Sequence, residues 1–377
     1  MKDKLKKTTF FIVAGEPSGD LHGAKLMRAM KKNNPFTSFV GLGGDGMVAE
    51  GLDKMYHTDE LAIMGFSETV KHLPFMLNVM GESLGRLRQL RPDRIILIDY
   101  PGFNLRLAKN CQGLNIPISY FILPQLWAWK ENRIKSFHKY IDQSLCIFPF
   151  EQEWFESRGV SANYVGHPFS EIERPETNKL QFLNKHDLKK ADKILTLLPG
   201  SRQQEIDRHW PVFIETVLAL RQDVPNLKVI VGKHAGVNLP TSKIDILIEK
   251  DDIRAAMAHG TVALTASGTA TLECAVLDTP EVVCYKLSSL SGFVAKRLNK
   301  SPFAAMANLI TGRKIVPEFL QNDMTVNNLV GAIKPLLKNS HKRRTMLKGF
   351  DEVRRSLGLP GVYDRAADLI LKRTING

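Results

Sequence analysis

Short apolar runs that read as strands alternate along this chain with stretches of helical periodicity, and no other feature constrains its fold as strongly. Strands that alternate with helices predict parallel sheets wrapped by helices on both faces. The expected fold class is therefore α/β, with doubly wound parallel sheets. The runs cover residues 10–14, 38–42, 94–99, 118–123 and 144–148, followed by 194–198, 227–231, 262–265 and 282–285.

The chain is too long for a single hydrophobic core. It has 377 residues, of which 44% are hydrophobic, and chains of this size usually divide into domains. Beyond residue 168 the sequence becomes polar and charged as far as residue 191, so the junction is expected there. We predict a first domain over residues 1–168, a second over 169–340, and a basic, helix-rich tail over 341–377 that can pack back on the first domain.

The chain is also strongly basic. It contains 52 Lys and Arg against 39 Asp and Glu, for a formal net charge of +13. This charge favours anionic partners such as nucleotides, nucleic acid or an acidic membrane surface. Charge alone does not choose among them.

The cysteines and the apolar stretches indicate a reducing compartment. The four cysteines lie in apolar surroundings without CxxC spacing, so we predict buried thiols, no disulfide and no zinc site. The apolar run near the N-terminus is too short for a signal peptide, and no stretch reaches the ~18 to 20 apolar residues of a membrane span. A cytoplasmic protein, soluble or peripherally bound to a membrane, is therefore expected.

A first candidate anion site follows the apolar run at residues 194–198. The segment 198–205 places a glycine turn between a strand and a helix start. We expect Ser201 to cap the helix with Gln204 closing a capping box, so that backbone amides and the Arg202 guanidinium face one phosphate. An ordinary βα turn with a surface arginine explains this segment equally well.

A second candidate anion site lies at residues 267–273, after the run at 262–265. Its small residues, Gly268, Thr269 and Ala270, let backbone amides approach a ligand closely, and Glu273 can accept hydrogen bonds from sugar hydroxyls. Diphosphate on the amides and ribose on the carboxylate form a nucleotide site. The alternative is a small-residue turn with a solvated glutamate, which is less plausible for two such motifs in one half of a chain.

A third glycine-rich string, at residues 41–46, matches the dinucleotide pattern G-x-G-x-x-G after a strand. The segment behind it is too short and irregular for the βαβ unit that such a site requires, so a tight loop is expected. No nicotinamide cofactor is predicted on that basis.

In the first domain, Asp99 stands at the carboxyl end of a buried strand. That end of an open α/β sheet faces the ligand crevice, so Asp99 is a candidate general base, with helix capping as its alternative role. Glu16 and Ser18 emerge from the first strand at the same edge. They can bind acceptor hydroxyls, or they can only hold the loop.

Residues 61–80 form an unusually apolar segment with few polar positions. An exposed apolar surface with basic neighbours is how a soluble protein collects a lipid substrate, and a buried helical hairpin is the alternative. The side chains expected to contact acyl chains or a membrane are Met64, Phe66, Leu73, Phe75 and Met76.

Taken together, these motifs resemble those of the lipid-A-disaccharide synthase family in order and spacing over nearly the whole chain. The resemblance implies a GT-B glycosyltransferase, with two Rossmann-like domains facing across a cleft and the sugar nucleotide held mainly by the second domain. The segments that carry the resemblance are residues 15–20, 98–101, 127–129, 166–168, 198–202 and 267–273.

The resemblance also implies a reaction. UDP-2,3-diacylglucosamine donates its sugar to the 6-hydroxyl of 2,3-diacylglucosamine 1-phosphate, which forms a β(1→6) disaccharide and UDP at the inner face of the cytoplasmic membrane. We expect a direct, inverting displacement with Asp99 as base, while Arg202 and the amides of residues 268–270 stabilise the departing UDP. Because no Asp-x-Asp pair is present, neither a metal nor another cofactor is predicted.

Other features of the family fit less directly. By the same resemblance, Asn308 and Gln321 belong to the donor site, although either residue can simply tie down a loop. Gly102 stands where the family usually has an aspartate, so Asp99 is the lone acid of its loop, and a Gly-Pro step common in the family is absent from residues 43–45. Acyl chain length and oligomeric state, including a homodimer, are left open by the sequence.

Two other functions compete with this one. A UDP-N-acetylglucosamine 2-epimerase has the same architecture and a uridine diphosphate site, and it needs no acyl surface, so residues 61–80 would be fully buried. A nucleic-acid-binding protein would use Trp127, Trp129 and Lys130 with a continuous basic face. The basic residues are spread along both predicted domains, so no nucleic acid partner is expected.

Overall fold

The computed structural model describes residues 7–62, 73–128, 130–172, 175–242, 244–287 and 302–375. The chain divides into two compact units, Met1–Glu171 with Gly358–Gly377, and Ile172–Leu357. The division lies close to the junction expected after residue 168. The predicted tail is shared: residues 341–357 belong to the second unit and only 358–377 to the first.

The first unit contains a parallel sheet with the strand order β3-β2-β1-β4-β5-β6-β7 among the described residues. Its strands are β1 (Thr8–Ala14), β2 (Thr37–Gly43), β3 (Leu52–His57), β4 (Arg94–Ile98), β5 (Ile118–Phe121), β6 (Gln143–Cys146) and β7 (Ala162–Tyr164). Its helices up to this point are α1 (Pro17–Asn33), α2 (Asp45–Ala49), α3 (Thr58–Ala62), α4 (Leu73–Leu90), α5 (Pro101–Asn110), α6 (Ile134–Tyr140) and α7 (Pro149–Glu156).

The second unit repeats this plan, with the strand order β10-β9-β8-β11-β12-β13 in the described part. Its strands are β8 (Ile194–Leu198), β9 (Lys228–Gly232), β10 (Leu247–Glu249), β11 (Val262–Ala266), β12 (Glu281–Tyr285) and β13 (Glu318–Leu320). Its helices are α8 (Lys179–Lys185), α9 (Gln203–Asp223), α10 (Ile253–His259), α11 (Thr269–Val276), α12 (Met306–Thr311), α13 (Val326–Leu336) and α14 (His341–Ser356), after which α15 (Val362–Ile375) returns to the first unit.

Among the described residues both sheets are parallel throughout, and their central strands are mostly apolar. Every residue of β4 and of β8 is buried. Unbroken apolar runs are typical of parallel strands, because helices cover both faces of the sheet. The α/β class with two doubly wound parallel sheets is therefore confirmed.

Each sheet has one place where the strand order reverses. In the first unit the chain moves outward from β1 to β3 and returns to place β4 beside β1; in the second it moves from β8 to β10 and returns to place β11 beside β8. Loops that leave the carboxyl ends of two such strands diverge and open a crevice, which is where open α/β sheets bind ligands. The reversal points therefore position any site.

The glycine-rich string at residues 41–46 differs from the expectation of a plain loop. The strands β2 and β3 pair in parallel around the one-turn helix α2, so a short βαβ unit is present after all. The Asp20 carboxylate accepts hydrogen bonds from the amides of Gly44, Gly46 and Met47 at 2.7, 2.9 and 3.0 Å. The amides that would bind the phosphate of a dinucleotide are therefore already hydrogen-bonded to the protein's own carboxylate.

All four cysteines are buried, as predicted, and their thiols are free. Among the described helices, none combines the length and the apolar character required to cross a bilayer.

Candidate functional site

The crevice of the first unit lies between the ends of β1 and β4. Ala14 pairs with Ile98 in the sheet, so the residues that follow each strand, Glu16 and Asp99, lie close to one another. Gly15 is required here, because a Cβ at that position would lie 2.2 Å from Cδ1 of the Tyr100 ring. The two loops therefore pack against each other at the carboxyl edge.

The electrostatics of this crevice favour a proton acceptor. Burial and, to a smaller extent, the negative charge of Glu16 raise the pKa of Asp99 to about 6, while a hydrogen bond from the Tyr100 amide opposes the shift. The N-cap of α5 is Tyr100 rather than Asp99. The alternative role of Asp99 as a helix cap is therefore not what the structure contains.

The other two residues predicted for this edge, Glu16 and Ser18, are exposed. Glu16 is the N-cap residue of α1, but its side chain makes no capping hydrogen bond, and Ser18 lies in the first turn of the same helix. Both side chains are therefore accessible to a bound acceptor, and Glu16 is close enough to Asp99 to act on its charge.

Glu151 was not singled out from the sequence. Its buried carboxylate accepts hydrogen bonds from Trp127 Nε1 at 3.1 Å and from the amides of Ile147 and Phe148 at 3.3 and 3.1 Å. Burial, with a small contribution from the charge of Asp99, raises its pKa to about 7, although these three donors oppose the shift. Glu151 therefore ties the Trp127 loop to the end of β6 near the candidate base. The sequence signal was weak, since Pro149-Phe150-Glu151 reads as an ordinary helix start.

The crevice of the second unit lies between the ends of β8 and β11, where Leu198 pairs with Thr265. Both predicted anion-binding segments leave the sheet here, the first after β8 and the second after β11. The strand order therefore makes the two segments neighbours at this edge of the sheet. The backbone amides of the two segments differ in whether they already have a hydrogen-bond partner inside the unit.

The predicted capping arrangement at Ser201 is wrong. The N-cap of α9 is Arg202, and the Glu205 carboxylate accepts hydrogen bonds from the amides of Ser201 and Arg202 at 3.0 and 3.3 Å. Gly200 has φ +132°, and a Cβ there would lie 2.6 Å from that of Glu205, so the turn requires glycine. The carboxylate is a stronger acceptor than the serine hydroxyl and reaches both amides, so these amides are satisfied internally.

The Arg202 side chain remains free to bind a ligand. It is 78% exposed, and its Nη1 lies 4.0 Å from Glu205 Oε1. A pair this exposed and this long contributes little stability, so an anion can displace it at small cost. The guanidinium, rather than the amides of its loop, is therefore the candidate phosphate contact on this side of the crevice.

The start of α11 does offer amides. Gly268 has φ 157° and ψ −163°, a conformation nearly restricted to glycine, and a Cβ there would meet no atom within 4 Å. Thr269 is exposed and Ala270 half-buried, and the amides of these first two helical residues have no partner within their own helix. Open space over unpaired amides is the geometry that a diphosphate requires.

The remaining predicted donor residues differ in availability. Glu273 is half-buried, and its Oε1 accepts a hydrogen bond from Arg254 Nε at 3.0 Å. Gln321 follows β13 with φ 54°, at the carboxyl edge of the sheet. A ribose near Glu273 would therefore share the carboxylate with Arg254.

Asn308 is fully buried. Its Oδ1 accepts from the amides of Ile315 and Val316 at 2.7 and 2.9 Å, and its Nδ2 donates to Val316 O at 3.0 Å and to Glu318 Oε1 at 2.8 Å. All four hydrogen-bonding positions of the side chain are thus used inside the unit. This geometry favours loop fixation, the second of the two roles that the sequence left open.

His209 is a second residue that the sequence did not single out. Its Nδ1 lies 2.7 Å from the carbonyl oxygen of Pro199, and the amide of Lys286 donates to its Nε2 at 3.0 Å. The ring is therefore neutral with the proton on Nδ1, and burial lowers its pKa. It fixes the loop after β8 to the end of β12, a role that a lone histidine inside a helix does not reveal in the sequence.

The predicted acyl surface is only partly exposed. Leu73 is 50% exposed, as expected, but Phe75 and Met76 are half-buried and pack against the core of the first unit. Leu77, which was not among the predicted contacts, is 63% exposed. Met64 and Phe66 lie outside the described residues. The apolar surface of α4 is thus carried by Leu73 and Leu77.

No metal site accompanies these groups in the described part of the chain, where no cluster of three or more His, Cys, Asp or Glu side chains could hold an ion. Of the two arginines described in the second crevice, Arg202 is 78% exposed and Arg254 is 46% exposed.

Comparison with solved structures supports the fold. A UDP-GlcNAc 2-epimerase from Neisseria meningitidis bound to UDP-GlcNAc aligns over 98% of this chain and 99% of its own, with a TM-score of 0.63 and 11% identity. CalG4, the calicheamicin glycosyltransferase, aligns over 98% and 99% with a TM-score of 0.61 and 13% identity. At such low identity these likenesses establish the GT-B fold but not an activity.

Comparison with sequences establishes the family. A family model described as lipid-A-disaccharide synthetase matches residues 10–365. The lipid-A-disaccharide synthase of Acidobacterium capsulatum is 37% identical over 93% of this chain and 92% of its own length, and that of Myxococcus xanthus is 35% identical over 96% of each. The motifs of both crevices lie within this match, and the chain belongs to the lipid-A-disaccharide synthase family.

Proposed function

We propose that this glycosyltransferase of lipid A biosynthesis uses Asp99 as its base. In the reaction, the sugar of UDP-2,3-diacylglucosamine passes to the 6-hydroxyl of 2,3-diacylglucosamine 1-phosphate. Asp99 accepts the hydroxyl proton, the oxygen attacks the anomeric carbon, and the bond to UDP breaks with its electron pair on the β-phosphate oxygen. Attack opposite the leaving group inverts the anomeric centre and gives the β(1→6) disaccharide.

The observation that carries this proposal is the position of Asp99. It combines a half-buried carboxyl, a pKa raised to about 6 and a place at the strand-order reversal of the first sheet. A base that is ionised at neutral pH but still holds a proton well is what a hydroxyl nucleophile requires. Glu16 and Ser18 lie at the adjoining start of α1, where they can orient the acceptor sugar.

The donor is assigned to the second unit. The amides at the start of α11 bind the diphosphate, Arg202 stabilises the charge that develops on UDP, and Glu273 accepts from the ribose. Ser201 supports the donor site indirectly, because its backbone forms part of the turn that presents Arg202. Asn308 supports it by fixing the loop at residues 315–316. Gln321 lies at the same edge as a contact to the nucleotide or its sugar.

The lipid substrates suggest where the enzyme works. Leu73 and Leu77 present apolar surface on α4, and the formal charge of +13 attracts anionic lipids. We infer peripheral binding at the inner face of the cytoplasmic membrane, with the acyl chains near α4.

The role of Asp99 can be tested by incubating the purified protein with both lipids and following the disaccharide by mass spectrometry. We expect Asp99→Asn to lower kcat by about 10²- to 10⁴-fold while UDP affinity is unchanged, because only the proton acceptor is lost. Asp142→Asn, the same change at the opposite edge of the sheet, is the control. Normal turnover by Asp99→Asn would remove Asp99 as base. Conversion of a UDP-sugar without acceptor lipid would instead indicate an epimerase.

The absence of a metal requirement is a separate prediction. Because protein cations and amides are assigned to the diphosphate, a chelator should leave the rate unchanged. The measurement is the same assay with and without the chelator. Loss of activity that magnesium restores would contradict this part of the proposal.

A further inference from the structure

We propose that Asn104 and Tyr120 are positioning residues that hold Asp99 in its reactive orientation. Both side chains donate hydrogen bonds to the backbone carbonyl oxygen of Asp99. This inference rests on the proposed role of Asp99 as base. Neither side chain is assigned to contact a substrate.

The backbone at Asp99 needs such support. Asp99 and Tyr100 have φ values of 43° and 45°, two consecutive non-glycine residues in the left-handed region. Side chains other than glycine are unfavourable there because Cβ crowds the following carbonyl, and such residues persist only where the surroundings hold them in place. The chain would otherwise relax toward negative φ, which would turn the Asp99 side chain away from its present direction.

The hydrogen bonds that resist this relaxation converge on one atom. Asn104 Nδ2 donates to the carbonyl oxygen of Asp99 at 2.7 Å and to that of Ile98 at 3.2 Å. The Tyr120 hydroxyl donates to the same Asp99 oxygen through a short hydrogen bond. The two donors on the Asp99 carbonyl restrain the peptide between Asp99 and Tyr100, and with it φ of Tyr100. The bond from Asn104 to the Ile98 carbonyl restrains the preceding peptide, and with it φ of Asp99.

The two donors are themselves immobile. Asn104 and Tyr120 are fully buried, and the Tyr120 ring packs against Phe137 with ring centroids 5.3 Å apart. Asn104 is also anchored through its own amide, which donates to the Tyr100 carbonyl at 3.1 Å. Because these donors are fixed in the core, they restrain the backbone of Asp99 and, through it, the direction of the Asp99 carboxyl group.

Several charged or titratable groups surround the Asp99 carboxyl and would respond to its rotation. Glu16 and burial raise its pKa to about 6, and the Tyr100 amide opposes them. Glu151 and Tyr120 also interact electrostatically with Asp99. If the carboxyl turned toward solvent, the burial contribution would weaken, and its pKa would move back toward the ordinary value of an aspartate.

The test uses Tyr120→Phe, which removes the hydroxyl but keeps the ring against Phe137. We expect kcat to fall about 10- to 100-fold, as for a reacting group displaced by about 1 Å, with KM for both lipids changed less than twofold. We also expect the acid limb of the pH–rate profile to move to lower pH. Tyr140→Phe, at the end of α6, should match the wild type.

Asn104→Leu is the second variant, because it removes the other donor at similar volume. It should give the same acid-limb shift, and a circular dichroism spectrum identifies the folded fraction to which kcat is normalised. A purely structural role would reduce that fraction and leave the acid limb in place, which would overturn the inference. If Asp99→Asn is inactive while both variants keep the wild-type kcat and profile, only the positioning role fails. If Asp99→Asn is active, the proposed base itself fails.

Discussion

At the scale of single residues, the protonation of Asp99 sets the pH range in which the proposed mechanism can operate. Its pKa is raised to about 6, first by burial and then by the charge of Glu16. A base acts only when ionised, so the ionised fraction, and with it kcat/KM, should fall as the pH drops through about 6. Above that pH, Asp99 should not limit the rate.

Removing the neighbouring charge provides a directional test. Glu16→Gln deletes one of the two causes that raise the pKa of Asp99, so the acid limb of kcat/KM should move to lower pH. Glu215→Gln, an exposed glutamate of the second unit, should leave it in place. The measurement is kcat/KM against pH for the three proteins. An acid limb that stays fixed in Glu16→Gln would show that Glu16 does not act on the group that titrates.

The sequence predicted the positions of these residues better than their partners. Asp99 could be placed because a strand end is visible as the end of an apolar run. Ser201 was misassigned as the cap because the pattern does not show which acceptor wins, and Glu205 reaches both amides with a charged group. Glu151 and His209 were missed because their roles arise from contacts with distant segments. Such contacts leave no local pattern.

At the scale of elements, the interior of each sheet was predictable and its edges were not. Every strand expected from an apolar run is present, but β3, β7, β10 and β13 were missed, and these are the edge strands of the two sheets. Each of the four is partly exposed. A strand that is covered incompletely needs fewer apolar residues, so its sequence lacks the continuous run that marks a central strand.

Helix α4 allows the membrane proposal to be tested without unfolding the protein. Leu73→Glu and Leu77→Glu replace exposed apolar side chains, so we expect weaker binding to vesicles of phosphatidylethanolamine and phosphatidylglycerol with thermal stability nearly unchanged. Co-sedimentation with the vesicles is the measurement.

The matched controls lie in the second unit, where Leu180 and Leu218 are also exposed. Leu180→Glu and Leu218→Glu should sediment with vesicles as the wild type does. Phe75→Glu and Met76→Glu should instead lower thermal stability, because both side chains pack on the core. Equal vesicle binding by all four leucine variants and the wild type would exclude α4 as the contact.

At the scale of the whole molecule, the chain leaves the first unit after Glu171 and returns to it at Gly358. The sequence indicated a helical tail but not where it divides, because α14 and α15 are both basic and amphipathic. Specific contacts decide it. The Glu171 carboxylate accepts from the amides of Gly361 and Val362 at the start of α15, and Arg94 donates to the Arg373 carbonyl at its end. Such pairings over long sequence separations cannot be read from periodicity.

The returning helix should be essential to the stability of the first unit. Ile370 is fully buried on α15, which packs against α1, so Ile370→Ala leaves a cavity and should lower the free energy of unfolding by about 2–5 kcal/mol. Lys372→Ala, an exposed change on the same helix, should cost little.

Urea unfolding followed by tryptophan fluorescence reports mainly on the first unit, because Trp127, Trp129 and Trp154 belong to it and Trp210 to the second. The proposed donor site lies in the second unit, so UDP affinity below the transition should be unchanged. Equal unfolding midpoints for Ile370→Ala and Lys372→Ala would show that α15 contributes little to the first unit's stability.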